Sequence, residues 1–220
     1  ALQSDILGAS ALCIRNVLIL TGDKLDTNDI PSPKPVFDTE SRELIHIAAK
    51  MRDGLALPSG REIVSAPKLF IGAAGLLIDP PPDWQPSALI QNVEAGAQFA
   101  QTQLCFDIEV VRRFMARLVD NGIADRVFMM IGIGPLASAR SARWMRDNLY
   151  GVIIPDVIIE RMEQATDAKA ESGRICAELM YELSEIPGVA GAHLVAPGNF
   201  SGIPGAIELS GLRKVREELV

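Results

Sequence analysis

QFAQTQLCFD (Gln98–Asp107), IEVVRRFMARLVDN (Ile108–Asn121) and RVFMMIGIGP (Arg126–Pro135) follow one another as a short apolar run, an amphipathic stretch and a second apolar run. Short apolar runs with β-branched residues, bounded by turn signals, read as strands buried in a parallel sheet. The stretch between them carries apolar residues at helical spacing. Strand, helix, strand is the unit from which parallel sheets with right-handed crossovers are built. The same reading extends outward to RNVLILTGD (Arg15–Asp23), KLFIGAAGL (Lys68–Leu76) and AGAHLVAPG (Ala190–Gly198) as further strands. Helical patterns fall at Thr39–Arg52, Pro86–Ala95, Ala137–Asn148, Asp156–Gln164 and Ala168–Ser184. Leu2, Ile6, Leu7 and Leu12 suggest one face of an opening amphipathic helix, and Leu212–Val220 a charged helix end packed on the exterior.

An open doubly wound sheet and a closed barrel both satisfy this alternation, and two details favour the barrel. Polar or small residues gather at the C-terminal ends of successive strands. They are Thr21, Gly22 and Asp23; Ala73, Ala74 and Gly75; Gln103; Gly132 and Gly134; and Pro197, Gly198 and Asn199. That rim is where barrel enzymes keep their sites. No strand is followed by GxGxxG, so the nucleotide-cradling turn of a Rossmann unit is absent. The expected fold is therefore an α/β (β/α)8 TIM barrel, incomplete, with about five of its eight strands, residues 1–220 forming one catalytic domain. About three βα units are expected upstream of Ala1, because an open five-stranded sheet leaves long unpaired edges that favour homo-oligomerisation.

Composition narrows the function. The formal net charge of −7 argues against nucleic acid or an anionic membrane surface as the partner. No run approaches the roughly 20 apolar residues that span a bilayer. Cys13, Cys105 and Cys176 are widely spaced and odd in number, which suits buried thiols in a reducing, cytoplasmic setting rather than a disulfide framework. With only His46 and His193, a histidine-rich metal site is not expected. His193 sits among apolar neighbours and reads as a satisfied core histidine.

Six segments occur in an order that resembles the methylenetetrahydrofolate reductase family. They are LTGD (Leu20–Asp23), KPVFDTESREL (Lys34–Leu44), FIGAA (Phe70–Ala74), VEAGAQFAQTQLCFD (Val93–Asp107), IPDVIIERM (Ile154–Met162) and IPGVAGAHLVAPGN (Ile186–Asn199). The resemblance implies a flavoenzyme that moves a hydride from NAD(P)H through FAD to 5,10-methylenetetrahydrofolate, giving 5-methyltetrahydrofolate. The same site can run in reverse, as a methyltetrahydrofolate oxidase in demethylation. Matched residue by residue, Thr21, Gly22 and Asp23 fall on the family's flavin-contacting strand end. Asp23 has the catalytic role there, disfavouring negative charge on the reduced ring and helping to hold the pterin. Gln103 matches the glutamine that hydrogen-bonds folate, and its amide offers both donors and acceptors.

The resemblance also places Phe106 where it could stack on folate, with a core aromatic as an equal reading, Asn199 at the rim facing substrate, and Phe37 against the flavin. Ala74 and Ala97 would matter as small residues allowing close approach, and Asp79 stands where some members have a histidine. The family's general-acid glutamate lies on a first strand that this sequence does not contain. Where members often carry a lysine before VxAGA, this chain has Gln91 and Asn92. Replacing such cations weakens pyrophosphate binding. A flavin-free folate- or partner-binding barrel is the alternative.

Overall fold

The computed structural model describes residues 1–22, 38–197 and 200–212. Five parallel strands lie side by side in chain order, β1 (Asn16–Ile19), β2 (Phe70–Gly75), β3 (Phe99–Leu104), β4 (Phe128–Ile133) and β5 (Val189–Leu194). Four fall within segments that the sequence reading assigns to strands, and β5 begins one residue before its expected segment, Ala190–Gly198. This is the α/β order of a (β/α)8 barrel, with five strands among the described residues. Contacts group the chain into two compact units, residues 1–74 with 87–100, and residues 75–86 with 101–220.

The first unit holds α1 (Leu2–Ala11), β1, α2 (Ser41–Gly54), nearly all of β2, α3 (Ser87–Glu94) and the start of β3. β1 and β2 pair in parallel from Asn16↔Phe70 to Ile19↔Ala73. Alternate residues turn to one side, so Ile19, Ile71 and Ala73 pack with Ile45, Ala48 and Ala49 of α2 and with Ala97. On the other side Leu18 and Leu20 stay exposed, and the rings of Phe70 and Phe99 stack with centroids 5.3 Å apart. Gly72 makes room for that stack, because a Cβ there would lie 2.1 Å from the Phe99 ring.

α1 departs from the expected face. None of its residues is buried, and only Ile6 of the four apolar residues packs against the core. Leu12 lies beyond the last helical turn and is 77% exposed. Cys13 follows with a left-handed φ of 63° and is exposed, so only Cys105 and Cys176 are the buried thiols expected of all three.

The second unit holds the rest of β3, α4 (Ile108–Asp120), β4, α5 (Ala139–Asn148), α6 (Asp156–Gln164), α7 (Ala168–Ser184), β5 and α8 (Ile203–Ser210). Asp107 caps α4 by accepting from the Val110 N–H at 3.1 Å, and Asp167 caps α7 through the Lys169 and Ala170 N–H groups. The apolar face of α4 buries Val111, Phe114, Met115 and Leu118, and β4 contributes Met129, Ile131 and Ile133 to the buried interior. Between α5 and α6 the chain returns to β3. Ile153 donates to the Leu104 carbonyl and accepts from the Phe106 N–H, extending the sheet past the end of β3. Neither this bridge nor α8 has a periodic signal, since the segments are short and interrupted by glycine and proline.

Candidate functional site

Along β3 the side chains alternate. Ala100, Thr102 and Leu104 are buried, whereas Gln101 is half-buried and Gln103 exposed. Gln101 and Gln103 therefore share the open face of the strand. The Gln103 side chain has no hydrogen-bond partner among the described residues, leaving its amide free to donate and accept. Gly151, in the turn after α5, has φ +78° and sits beside the Gln103 stem, where a Cβ would be 3.7 Å from Gln103 Cβ and Cγ.

Gln101 reaches across β4 to His193 of β5. Its Nε2 lies 2.8 Å from Nδ1 and 3.0 Å from Nε2 of the imidazole. β3 and β5 flank β4, so their backbones are about 9–10 Å apart, the sum of two strand spacings. Two long side chains bridge that gap because His193 is in register with Gly132, which has no side chain to stand between them. Gly132 also admits no substituent, since a Cβ would fall 2.5 Å from the Gln103 carbonyl oxygen and 2.6 Å from that of Thr102. The Gly132 N–H donates to Thr102 Oγ1 at 2.9 Å, and that hydroxyl donates to the Gln103 carbonyl.

His193 is thus a partly exposed, hydrogen-bonded side chain on the open face, not the core residue that its apolar neighbours suggest. Burial disfavours the charged ring and pushes its pKa below the ordinary histidine value. Gln101 was not foreseen as a site residue, although glutamines at alternate positions in QFAQTQ carry the signal of a polar strand face.

The other expected site residues divide between the units. In the first, Thr21, Gly22 and Ala74 are exposed at strand ends, and Thr21 Oγ1 accepts from the Ser41 N–H at 3.3 Å. Ala97 is placed differently from the expectation: it is 4% exposed and packs in the core cluster beneath α2. Asp23 and Phe37 lie outside the described residues, as does Asn199 in the second unit.

Phe106 of the second unit is 3% exposed, a packing aromatic rather than a stacking surface. Asp79 is exposed, and its two carboxylate oxygens accept from Arg113 at 2.7 and 2.9 Å, which holds its carboxyl below the usual range. Among the described residues no three His, Cys, Asp or Glu side chains form a metal cluster, and no helix is long and apolar enough to cross a membrane.

Five parallel strands with helical crossovers define a barrel-type α/β fold, with a polar patch on a strand face near the C-terminal ends. The chain belongs to the methylenetetrahydrofolate reductase family, whose model matches residues 1–196. No curated protein matches it. Among solved structures, it is similar to one described as an uncharacterized protein from Clostridium thermocellum that binds two copies of 5-methyl-5,6,7,8-tetrahydrofolic acid. That likeness has a TM-score of 0.48 at 17% identity and covers 65% of this chain. The matched part spans about half of that protein's chain, 53%.

Proposed function

We propose that this chain interconverts 5,10-methylenetetrahydrofolate and 5-methyltetrahydrofolate as part of a flavin-dependent oxidoreductase that uses NAD(P)H. Family membership sets the folate-related class, and the observation that carries the finer reading is the free Gln103 amide on the open face of β3. A reduced pterin presents an amide edge with adjacent donors and acceptors. A glutamine amide without protein partners matches such an edge with paired hydrogen bonds, each contributing about 0.5–1.5 kcal/mol. Gly151 keeps the space beside the Gln103 stem free of a side chain.

Thr21, Gly22 and Ala74 suit the edge of a flat ring system, being small and exposed at strand ends; a Cβ on Gly22 would meet nothing within 4 Å. With Asp23 and Phe37 they are the residues that would hold FAD, whose contribution when bound is hydride transfer. Asp23 would oppose negative charge on the reduced ring and so favour release of hydride to folate.

A second reading, a flavin-free folate-binding barrel, is favoured by the Asp79–Arg113 pair. That pair turns the Arg113 guanidinium toward a carboxylate of the chain itself, at the position where the resemblance gives some members a histidine. The absorbance spectrum of the purified chain, before and after addition of FAD, separates the two. Flavin bands that persist through gel filtration and change on addition of 5-methyltetrahydrofolate support the oxidoreductase. A colourless protein that takes up folate but no FAD supports the alternative. If neither folate binds, both readings fail.

A further inference from the structure

We infer that His193, oriented by Gln101, is a second folate contact on the face that carries Gln103, donating a ring N–H to the polar edge of the reduced pterin. The inference rests on the folate reading above and extends it to two residues to which that reading gives no role. Three observations carry it. First, the Gln101–His193 contact is built across a whole strand, and the register that brings Gly132 opposite His193 keeps the crossing clear. Interior positions of barrel strands are ordinarily filled by branched apolar side chains, so a tethered polar pair there is poorly explained by packing.

Second, the contact fixes the state of the ring. A Gln101 amide N–H can be accepted only by a ring nitrogen that carries no proton, and a doubly protonated imidazolium has none. The contact therefore selects the neutral ring, which retains one N–H to give. Third, Gln101 is two residues before Gln103 on the same face of β3, so the backbones of the two glutamines are about 6.5–7 Å apart along the strand. That separation suits a fused two-ring system bound at one end by Gln103. Gln101 acts through the imidazole and is a positioning residue.

The test is isothermal titration of tetrahydrofolate and 5-methyltetrahydrofolate into the full chain and four variants. H193F keeps the bulk of the ring without an N–H, H193Q restores a donor, Q101L frees the ring, and Q103L marks the folate site itself. H193F should bind roughly 5–10-fold more weakly, the loss expected for one hydrogen bond, and H193Q should recover most of it. Q101L should weaken binding less and change the tautomer pattern of the His193 ring nitrogens in long-range 1H–15N spectra, which a purely structural role would leave alone. H193F binding like the parent while Q103L is weakened overturns the His193 contact alone. An H193Q variant no better than H193F does the same. A parent chain that binds neither folate, or a Q103L variant that binds both normally, sinks the underlying reading.

Discussion

Replacing Gly132 by alanine should be among the most damaging single-methyl changes in the second unit. The added carbon would lie 2.5 Å from the Gln103 carbonyl oxygen, 2.6 Å from that of Thr102 and 2.7 Å from the Gln103 carbonyl carbon. Ordinary C···O contacts begin near 3.3 Å, so backbone must separate by roughly 0.8 Å. The neighbours are main chain and cannot swing aside as a side-chain tip would. Two hydrogen bonds sit on the residue that must move, Gly132 N–H to Thr102 Oγ1 at 2.9 Å and Cys105 N–H to the Gly132 carbonyl at 2.8 Å. Losing both costs about 2 kcal/mol, and overpacking adds about 1–3 kcal/mol, for a total of roughly 3–5 kcal/mol. For a chain of this size each kcal/mol lowers Tm by about 2–4 °C, so G132A should melt about 6–20 °C below the parent. Circular dichroism during thermal unfolding reads this directly. G8A is the matched control, since a Cβ on Gly8 of α1 meets nothing within 4 Å and alanine there should stabilise by about 0.5–1 kcal/mol. A G132A loss under about 1 kcal/mol would refute the reasoning, because it would mean that β3 and β4 separate without resistance.

Thiol reactivity should divide the cysteines. Burial pushes Cys105 and Cys176 up to about 12, so at pH 8 only exposed Cys13 should react quickly with a disulfide reagent; a second fast thiol in the native chain contradicts the placement. Stability should also respond to His193. Its folded pKa is depressed by burial, so as pH falls below about 6.5 the unfolded chain takes up a proton that the folded chain resists, and the folded state loses stability. The parent-minus-H193F difference in unfolding free energy should therefore be flat above about pH 7 and fall below it; a difference constant from pH 5 to 8 would rule this out. Removing the α4 cap with D107A should cost about 0.5–2 kcal/mol in urea unfolding, and a change within error would mean that the Val110 N–H finds another acceptor.

Much of the scaffold is legible in the chain because its signals are local. Asp156–Gln164 and Ala168–Ser184 agree with the structure at both ends, and every strand but β5, which starts one residue early at Val189, falls inside its expected segment. The failures share a physical cause, which is that non-local packing decides them. Ala97 follows Gly96, whose φ of +117° and approach to Ala49 turn the chain into the core under α2, and nothing local announces that turn. Phe106 has two equal readings in the sequence, stacking or core; it is 3% exposed, and its N–H donates to the carbonyl of Ile153, 47 residues downstream. Gln101 and His193 are 92 positions apart, and only the strand order and the Gly132 register bring them together.

The open strand faces of the two units differ in chemistry, and that difference argues for a binding role more strongly than any single residue. In the first unit the residues turned away from α2 are Leu18, Leu20, Phe70 and Phe99, apolar groups of the kind that fill barrel interiors. In the second, β3 and β5 offer Gln101, Gln103 and His193. A sequence selected only for packing would place branched aliphatic side chains at the half-buried positions of Gln101 and His193, since polar groups held partly out of water cost free energy unless they are paired. The Gln101–His193 contact satisfies two of the three. Gln103 is left over, one position from Thr102, whose hydroxyl already receives the Gly132 N–H and donates to the Gln103 carbonyl, so the strand is held while its side chain remains free. A rigid backbone under an unpaired amide is what a preorganised ligand contact requires.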